Sequence, residues 1–183
     1  MEVEIKSCGR IKFPNNQAEE IEKVTHRLIL SQLGRETKSY PFIKNMAQFI
    51  WIDIGTLMQK KSVKTTEAPE AIGPYSQAIR VGDFLYISGQ ISLDPKTMEM
   101  ITGNIELETE KVLQNIEAIL SAEGLNFGHV IKTTVYLTDL SEFTRMNQVY
   151  EKFFSSTKPA RACVQVAALP KGAKVEIDAI AHS

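Results

Sequence analysis

The sequence predicts an α+β fold in which a single mixed sheet has two helices packed on one of its faces. Three observations support this prediction: a pair of strand-like segments joined by a short turn, two segments with apolar residues at helical spacing, and further segments in which apolar and polar residues alternate. In chain order they give ββαβαββ. Two helices cover one face of such a sheet, so we expect the other face to be solvated or buried by another subunit.

The first predicted elements are a hairpin and a long helix. Residues 76–81 and 84–88 form short strand-like segments, and the Gly82-Asp83 dipeptide between them favours a tight turn. Residues 107–123 follow with one apolar stripe at helical spacing. The stripe consists of Val112, Leu113, Ile116, Ile119 and Leu120. Gly124 is expected to end this helix, because glycine readily adopts the backbone conformation that follows a helix C-terminus.

The later elements repeat the strand and helix patterns. Residues 130–138 alternate, which places Ile131, Thr133, Val135 and Leu137 on one face of a strand. Ser141 is expected to cap a second helix. The apolar stripe of that helix consists of Phe143, Met146, Tyr150 and Phe153. Two last strands, at 161–167 and 174–181, flank a turn that contains proline and glycine.

Residues 1–57 and 58–183 differ in pattern and are predicted to be separate parts of the chain. In the first part, Asn16 is predicted to cap one helix, which Gly34 ends, and an apolar patch follows. These features are too few for an independent core. We expect residues 1–57 to be an extension of unknown role, either poorly ordered or added by a mis-assigned start upstream of Met58. Residues 58–183 are expected to form one complete small domain.

Composition argues against several classes of function. The formal net charge is −1, with acidic and basic residues nearly balanced in both parts, which disfavours binding to a phosphate backbone. No apolar stretch is long enough to span a membrane. Cys8 and Cys163 are far apart and no C-x-x-C occurs, so we expect reduced thiols in a cytoplasmic protein. The three histidines, His26, His129 and His182, are too dispersed in sequence to predict a metal site.

The strand predicted at 161–167 bears on the uncovered face of the sheet. Alternation separates its side chains into two sets. They are Ala162, Val164 and Val166 on one side, and Arg161, Cys163 and Gln165 on the other. A face with arginine, cysteine and glutamine suits a subunit interface or a pocket. Packing of such faces between copies favours a closed cyclic oligomer.

Arg161 and Glu176 are the residues with the clearest chemical potential. Arg161 is either half of a structural ion pair or a receptor for a ligand carboxylate, because its planar guanidinium can donate two parallel hydrogen bonds. Glu176 is either a salt-bridge partner, an exposed strand residue, or a carboxylate that holds a water molecule as hydrogen-bond acceptor or general base.

Other positions also have a structural and a functional interpretation. Tyr75 is a core residue or an aromatic pocket wall. Gly89, beside Ser88 at a strand end, allows either a bulge or close approach of a ligand to the backbone. Asn147 lies in a helix interior, where asparagine is disfavoured, and is a surface residue or a polar contact across an interface. Cys163 is expected to be a small, inert, buried residue.

Seven segments occur in a specific order along residues 64–181. They are Ala68-Pro69, 72–77 (IGPYSQ), 87–91 (ISGQI), 130–135 (VIKTTV), Pro159-Ala160-Arg161, 165–172 (QVAALPKG) and 175–181 (VEIDAIA). Together they make this sequence resemble the RidA/YjgF family, the reactive intermediate deaminase A proteins. Each segment is weak evidence alone, but the ordered set is specific. Nothing in the resemblance covers residues 1–57.

The resemblance implies a chorismate-mutase-like fold and a homotrimer with three clefts between subunits. It implies hydrolysis of 2-iminobutanoate and 2-iminopropanoate, and of their enamine tautomers, to 2-oxo acids and ammonia. Pyridoxal-phosphate dehydratases release these imines, so the activity would limit metabolite damage. No metal or other cofactor is implied, since a catalyst needs only to hold the carboxylate, orient the C=N group and present a water molecule.

The resemblance also implies roles for individual residues. Arg161 would bind the substrate carboxylate, and Glu176 would position the water. Gly89, with Ser88 beside it, would offer backbone contacts, and Cys163 would act chiefly through its backbone. Two further pocket residues would be donated across the subunit interface. They are Tyr75 and Asn147.

Two other functions remain open from the sequence. The clefts could serve a non-enzymatic ligand-sensing or chaperone-like binding module, or the ribonuclease or translation-inhibitor activity attributed to some members of the family. The balanced charge argues against the second of these. Arg161 and Glu176 together favour the deaminase over a pure binding module.

Overall fold

A computed structural model describes residues 59–183, which contain six strands and two α-helices in the order βββαβαββ. The strands are β1 (Lys60–Val63), β2 (Ala78–Val81), β3 (Phe84–Gln90), β4 (Val130–Leu137), β5 (Ala160–Gln165) and β6 (Val175–His182); the helices are α1 (Ile105–Ala122) and α2 (Phe143–Phe154). The helix and apolar patch predicted within residues 1–57 lie outside the described residues.

The six strands form one mixed sheet, as predicted. Their order is β1-β2-β3-β6-β4-β5, and every neighbouring pair is antiparallel except β4 and β5, which are parallel. Helix α2 connects the parallel pair, since parallel neighbours need a crossover. The last strand in sequence therefore lies inside the sheet, between β3 and β4, while β5 forms an edge.

The core lies between the helices and one face of the sheet. The predicted stripe of α1 is buried in full, including Leu113, Ile116 and Ile119. Burial alternates along β6 because successive side chains point to opposite faces. Residues such as Val175 and Ile177 join the core, whereas the residues between them face the uncovered side. The predicted fold class, with both helices on one face, is confirmed.

Several local predictions were wrong. Strand β1 was not predicted. Ile131 is 46% exposed, because a register shift between Val130 and Lys132 breaks the alternation of β4. Ser141 does not cap α2. Instead, the Asp139 side chain accepts a hydrogen bond from the Ser141 N–H at 2.8 Å and caps a short 3₁₀ turn that leads into the helix.

The polar side chains of β5 do not face the uncovered side of the sheet. Arg161 lies over the ring of Tyr150 in α2, and Gln165 accepts a hydrogen bond from the Leu140 N–H at 3.0 Å. Cys163 packs against the core. The predicted division of the strand into two sets is therefore correct, but its arginine set points toward the helices.

Candidate active site

Arg161 stands at the beginning of edge strand β5, just after the turn that follows α2. Lys158 ends that turn with φ = 44°, and its N–H donates to the Phe154 carbonyl oxygen at 3.0 Å. Pro159 then fixes an extended direction for the chain, because its ring restricts φ. This connection brings the arginine side chain back onto the helix that precedes it.

The guanidinium lies against one face of α2. Its Nη1 donates to Asn147 Oδ1 at 2.8 Å, and its Cζ is 4.6 Å from the ring centroid of Tyr150 and 5.5 Å from that of Phe143. The three helix residues are spaced i, i+4 and i+7, so they share a face. We call Arg161 with these three residues the arginine cluster.

The charge of Arg161 is stabilised mainly by aromatic rings and an amide. Within residues 59–183, no carboxylate lies within 4.0 Å of its guanidinium, and the residue is exposed. A structural ion pair is therefore not found in the described part of the chain. The planar group is instead held by cation–π contacts and one hydrogen bond, leaving further N–H donors for a ligand.

Two of the predicted pocket residues, Asn147 and Cys163, lie near the guanidinium of Arg161 within one protomer. Asn147 binds it directly through its side-chain oxygen. Cys163 is half-buried, and burial raises the pKa of its thiol while Arg161 opposes that shift. A thiol of raised pKa is protonated at neutral pH and is a poor nucleophile.

Phe143 and Tyr150 were predicted as core residues of α2, and their contact with the arginine was not predicted. Tyr150 is only 6% exposed, and its hydroxyl forms a 2.8 Å hydrogen bond with Thr133 Oγ1. Burial is the main cause that raises the pKa of Tyr150. Their helical spacing from Asn147 was the signal available in the sequence. A neutral, anchored ring is a suitable support for a guanidinium.

Glu176 lies on the uncovered face of the sheet. Its direct cross-strand partner is Tyr136 in β4, and Asp178 lies two residues further along the same face of β6. Burial and, second, the nearby Asp178 carboxylate raise the pKa of Glu176. No hydrogen bond or ion pair links its carboxylate to another side chain or N–H within residues 59–183. Within residues 59–183 it is a half-buried carboxylate whose acceptor positions are free.

Gly89 leaves the space that the Glu176 carboxylate occupies. The pairing of β3 with β6 shifts between Ile87 and Gln90, so an extra residue bulges there. A Cβ atom added to Gly89 would lie 1.9 Å from Glu176 Oε1. Only glycine fits this arrangement. We call Glu176, Gly89, Tyr136 and Asp178 the glutamate cluster.

Ser88 and Tyr75 lie along the chain segments that lead to this bulge. The Ser88 hydroxyl donates to the Ser76 carbonyl oxygen at 2.7 Å, which ties β3 to the preceding segment. Tyr75 is 54% exposed, and its hydroxyl accepts a hydrogen bond from the Ile72 N–H at 3.2 Å. Its ring is therefore available at the surface, as expected of a pocket wall and not of a core residue.

The arginine and glutamate clusters lie on opposite faces of the sheet. Arg161 pairs with Thr133 on the helix side, whereas Glu176 pairs with Tyr136 on the uncovered side. Strand β4 separates β5 from β6, a distance of roughly 10 Å at the usual strand spacing. One protomer therefore does not bring the predicted carboxylate receptor and the predicted base into one pocket.

Residues 59–183 contain neither a metal-binding group nor a membrane-spanning helix. Among residues 59–183, no three His, Cys, Asp or Glu side chains are grouped so that they could hold a metal ion. Within the same residues, no helix is both long and apolar enough to cross a membrane.

Comparisons with known proteins agree on one family. The family model described as Endoribonuclease L-PSP matches residues 65–183. Protein DfrA of Myxococcus xanthus is 53% identical over 128 residues, covering 69% of this chain and 98% of that protein. The 2-iminobutanoate/2-iminopropanoate deaminase of Mus musculus is 48% identical over 122 residues, covering 67% of this chain and 90% of that protein.

A solved structure extends the likeness to the fold. The crystal structure of E. coli TdcF with bound serine matches with a TM-score of 0.64 and 44% identity, covering 67% of this chain and 98% of TdcF. The chain belongs to the Endoribonuclease L-PSP family, which includes the RidA and YjgF proteins that its motifs resemble.

Proposed function

We propose that the protein hydrolyses 2-iminobutanoate and 2-iminopropanoate to 2-oxo acids and ammonia, at sites completed by two protomers. The observation that supports this most is the exposed guanidinium of Arg161, which no carboxylate of residues 59–183 neutralises. The name of the mouse relative and the amino acid bound to TdcF are consistent with a ligand that has a carboxylate beside a nitrogen-bearing carbon.

In the proposed reaction, Arg161 holds the substrate carboxylate through its free N–H groups. Asn147 fixes the orientation of the guanidinium by accepting its Nη1–H. Glu176 accepts a proton from a water molecule as the water oxygen bonds to the imine carbon. The electron pair of the C=N double bond moves to nitrogen, which takes up that proton. The carbon–nitrogen bond of the resulting carbinolamine then breaks, and nitrogen leaves as ammonia once it has received a proton. Loss of the hydroxyl proton gives the 2-oxo acid.

The opposite placement of the two clusters supports assembly from several copies. The Arg161 side chain of one protomer would meet the Glu176 and Gly89 of a neighbour, and Tyr75 would line the same cleft. The uncovered sheet face exposes Tyr86 and Val164, to 47% and 43%, as expected of a surface that another copy covers. We propose a homotrimer, as the family resemblance implies.

The free thiol of Cys163 is consistent with a reducing compartment, and we propose that the protein acts in the cytoplasm. There it would remove the reactive imines that pyridoxal-phosphate dehydratases release from threonine and serine. This role is the damage-limiting activity expected from the resemblance.

The test is a coupled assay in which threonine dehydratase generates the imine and semicarbazide competes to trap it. Wild-type protein is expected to suppress the semicarbazone and speed 2-oxobutanoate formation. Arg161→Ala should reduce the effect by about 10²-fold or more, because a misplaced substrate loses its orientation. Arg145→Ala is the matched control, since Arg145 is paired with Glu106 and Glu142 at the surface. Equal activity in both variants would refute the proposal.

A ligand-binding module without chemistry is the second candidate, supported by the serine bound to TdcF. Glu176→Gln separates the two functions. For a deaminase, kcat should fall by about 10²- to 10⁴-fold while ligand affinity is retained, as expected for loss of a positioned base. For a binding module, wild-type protein would bind 2-oxobutanoate by calorimetry and never accelerate imine hydrolysis.

A further inference from the structure

Tyr136 is placed so that it could donate a hydrogen bond to either of two carboxylates. It lies directly opposite Glu176 in the pairing of β4 with β6, and cross-strand neighbours approach to about 5 Å between Cβ atoms. Its hydroxyl instead donates to Asp178 Oδ2, at 3.1 Å. Thr134 is the direct cross-strand partner of Asp178, so the tyrosine reaches diagonally along the sheet.

Because the Tyr136 hydroxyl donates to Asp178, Glu176 has no hydrogen-bond donor among residues 59–183. Gly89 closes the other side of the carboxylate, because a Cβ there would overlap Glu176 Oε1. Glycine brings no side-chain donor, and the hydroxyl of Ser88 is engaged by the Ser76 carbonyl. The acceptor positions of Glu176 are consequently free for water.

We propose that Asp178 is a positioning residue, which keeps Glu176 free to bind water by engaging the Tyr136 hydroxyl. This inference rests on the proposed function of Glu176 as the base. It explains the strength of that base by the hydrogen bond between Tyr136 and Asp178. Were Asp178 unable to accept, the hydroxyl would be free to turn to Glu176. A hydrogen bond to the charged form of a carboxylate weakens it as a base.

The electrostatics of the uncovered face agree with this geometry. Burial and then Asp178 raise the pKa of Glu176, so a stronger base results. Burial and then the bond to Asp178 raise the pKa of Tyr136, so its hydroxyl keeps the proton that it donates. Within one protomer, the groups that face Glu176 are Asp178 from β6, Tyr136 from β4 and the uncharged Gly89 from β3. In the proposed assembly the Arg161 guanidinium of a neighbour also faces Glu176, and it is the same in every variant compared below.

The test is a carbon-13 NMR titration of the Glu176 carboxyl group in the full-length protein. Asp178→Asn removes the charge but keeps an acceptor for Tyr136, so the pKa of Glu176 should fall. Asp178→Ala also frees the hydroxyl, so the pKa should fall further. Adding Tyr136→Phe to Asp178→Ala should return it to the Asp178→Asn value. Asp83→Asn, in the exposed turn between β2 and β3, is the control for loss of one negative charge.

The pH–rate profile of imine hydrolysis provides a second measurement. The apparent pKa of its acid limb should change among the variants in the same order as the pKa of Glu176. At the plateau, kcat of Asp178→Ala should be about fivefold below wild type, a small part of what a positioned base contributes, and Tyr136→Phe should restore it. A merely structural Asp178 would change stability without moving the acid limb.

Three results would overturn the inference. They are equal pKa values of Glu176 in Asp178→Asn and Asp83→Asn, equal values in Asp178→Ala and Asp178→Asn, or no recovery when Tyr136→Phe is added. The NMR titration needs no turnover. If the variants show the expected order of Glu176 pKa values but the wild-type protein does not hydrolyse imines, the proposed function alone is refuted. If the wild-type protein hydrolyses imines but the variants do not show that order, this inference alone is refuted.

Discussion

The arginine cluster and the glutamate cluster differ in how much of their environment one chain supplies. The guanidinium of Arg161 is supported by an amide and two aromatic rings from a helix of its own protomer. Glu176 faces the uncovered side of the sheet, with a raised pKa and no donor from residues 59–183. One chain thus supplies the full support of the guanidinium, whereas it leaves the carboxylate of Glu176 without a hydrogen-bond donor.

The charges of Arg161 and Glu176 are therefore stabilised to different extents. A charge stabilised by rings and an amide can remain exposed without neutralisation, which suits a receptor for an anion. A half-buried carboxylate without a donor is stabilised less, and so is a stronger base. Substitutions that alter one cluster and leave the other intact test this difference.

Gly89→Ala should be the most damaging change on the glutamate side among those that leave the Glu176 side chain itself intact. Its methyl group would meet Glu176 Oε1 at 1.9 Å, so the carboxylate must move away from the bulge. We expect kcat to fall by about 10²-fold, since displacement of a reacting group by 1 Å can cost that much. Gly124→Ala is the control: nothing lies within 4 Å of its added Cβ, but its φ of 71° strains alanine, so stability should fall while activity per folded molecule persists. Unchanged kcat in Gly89→Ala would remove the steric argument.

Asn147→Ala tests the arginine side and should affect binding more than chemistry. It removes the acceptor that holds Arg161 Nη1 at 2.8 Å. A hydrogen bond to a charged group contributes about 1.5–3 kcal/mol, so KM should rise roughly tenfold or more with little change in kcat. Gln148→Ala, an exposed amide one residue further along α2, should leave both constants unchanged. A fall in kcat alone would place Asn147 in the chemical step instead.

The smallest expected effect is on stability. A carboxyl group whose pKa is raised by folding binds its proton more tightly in the folded state, so it destabilises that state as pH rises through the raised pKa. Glu176→Gln should therefore have a higher Tm than wild type at about pH 7. The gain should vanish below the ordinary glutamate pKa of about 4.3. Glu151→Gln, exposed on α2, controls for loss of charge. A gain that is the same at both pH values would contradict the assignment.

The sequence predicted those parts of the fold that depend on local periodicity. The apolar stripe of α1 was correct at every position, because apolar residues recur at helical spacing from residue 112 to residue 120. Strand β1 was missed because it has only four residues, of which just Val63 is buried. Ile131 was misplaced because a bulge, which depends on the partner strand, reverses the local alternation.

The individual residues of the candidate site could be predicted from the sequence, but their positions relative to one another could not. Gly89 and Glu176 were predicted from motifs, and the structure brings them into contact. The separation of Arg161 from Glu176 follows from β4 lying between β5 and β6, and this non-local pairing has no signal in either segment. Contact between Arg161 and Asn147 likewise depends on the parallel crossover through α2.

Mixed oligomers of Arg161→Ala and Glu176→Gln test most directly whether two protomers complete each site. The two variants would be refolded together at equal amounts and assayed for imine hydrolysis. If Arg161 and Glu176 come from different chains, random assembly gives an intact pair at about one site in four, and about a quarter of wild-type activity should return. If both groups act within one chain, every site retains one defect. Mixtures no more active than the separate variants would show that two protomers do not complete each site.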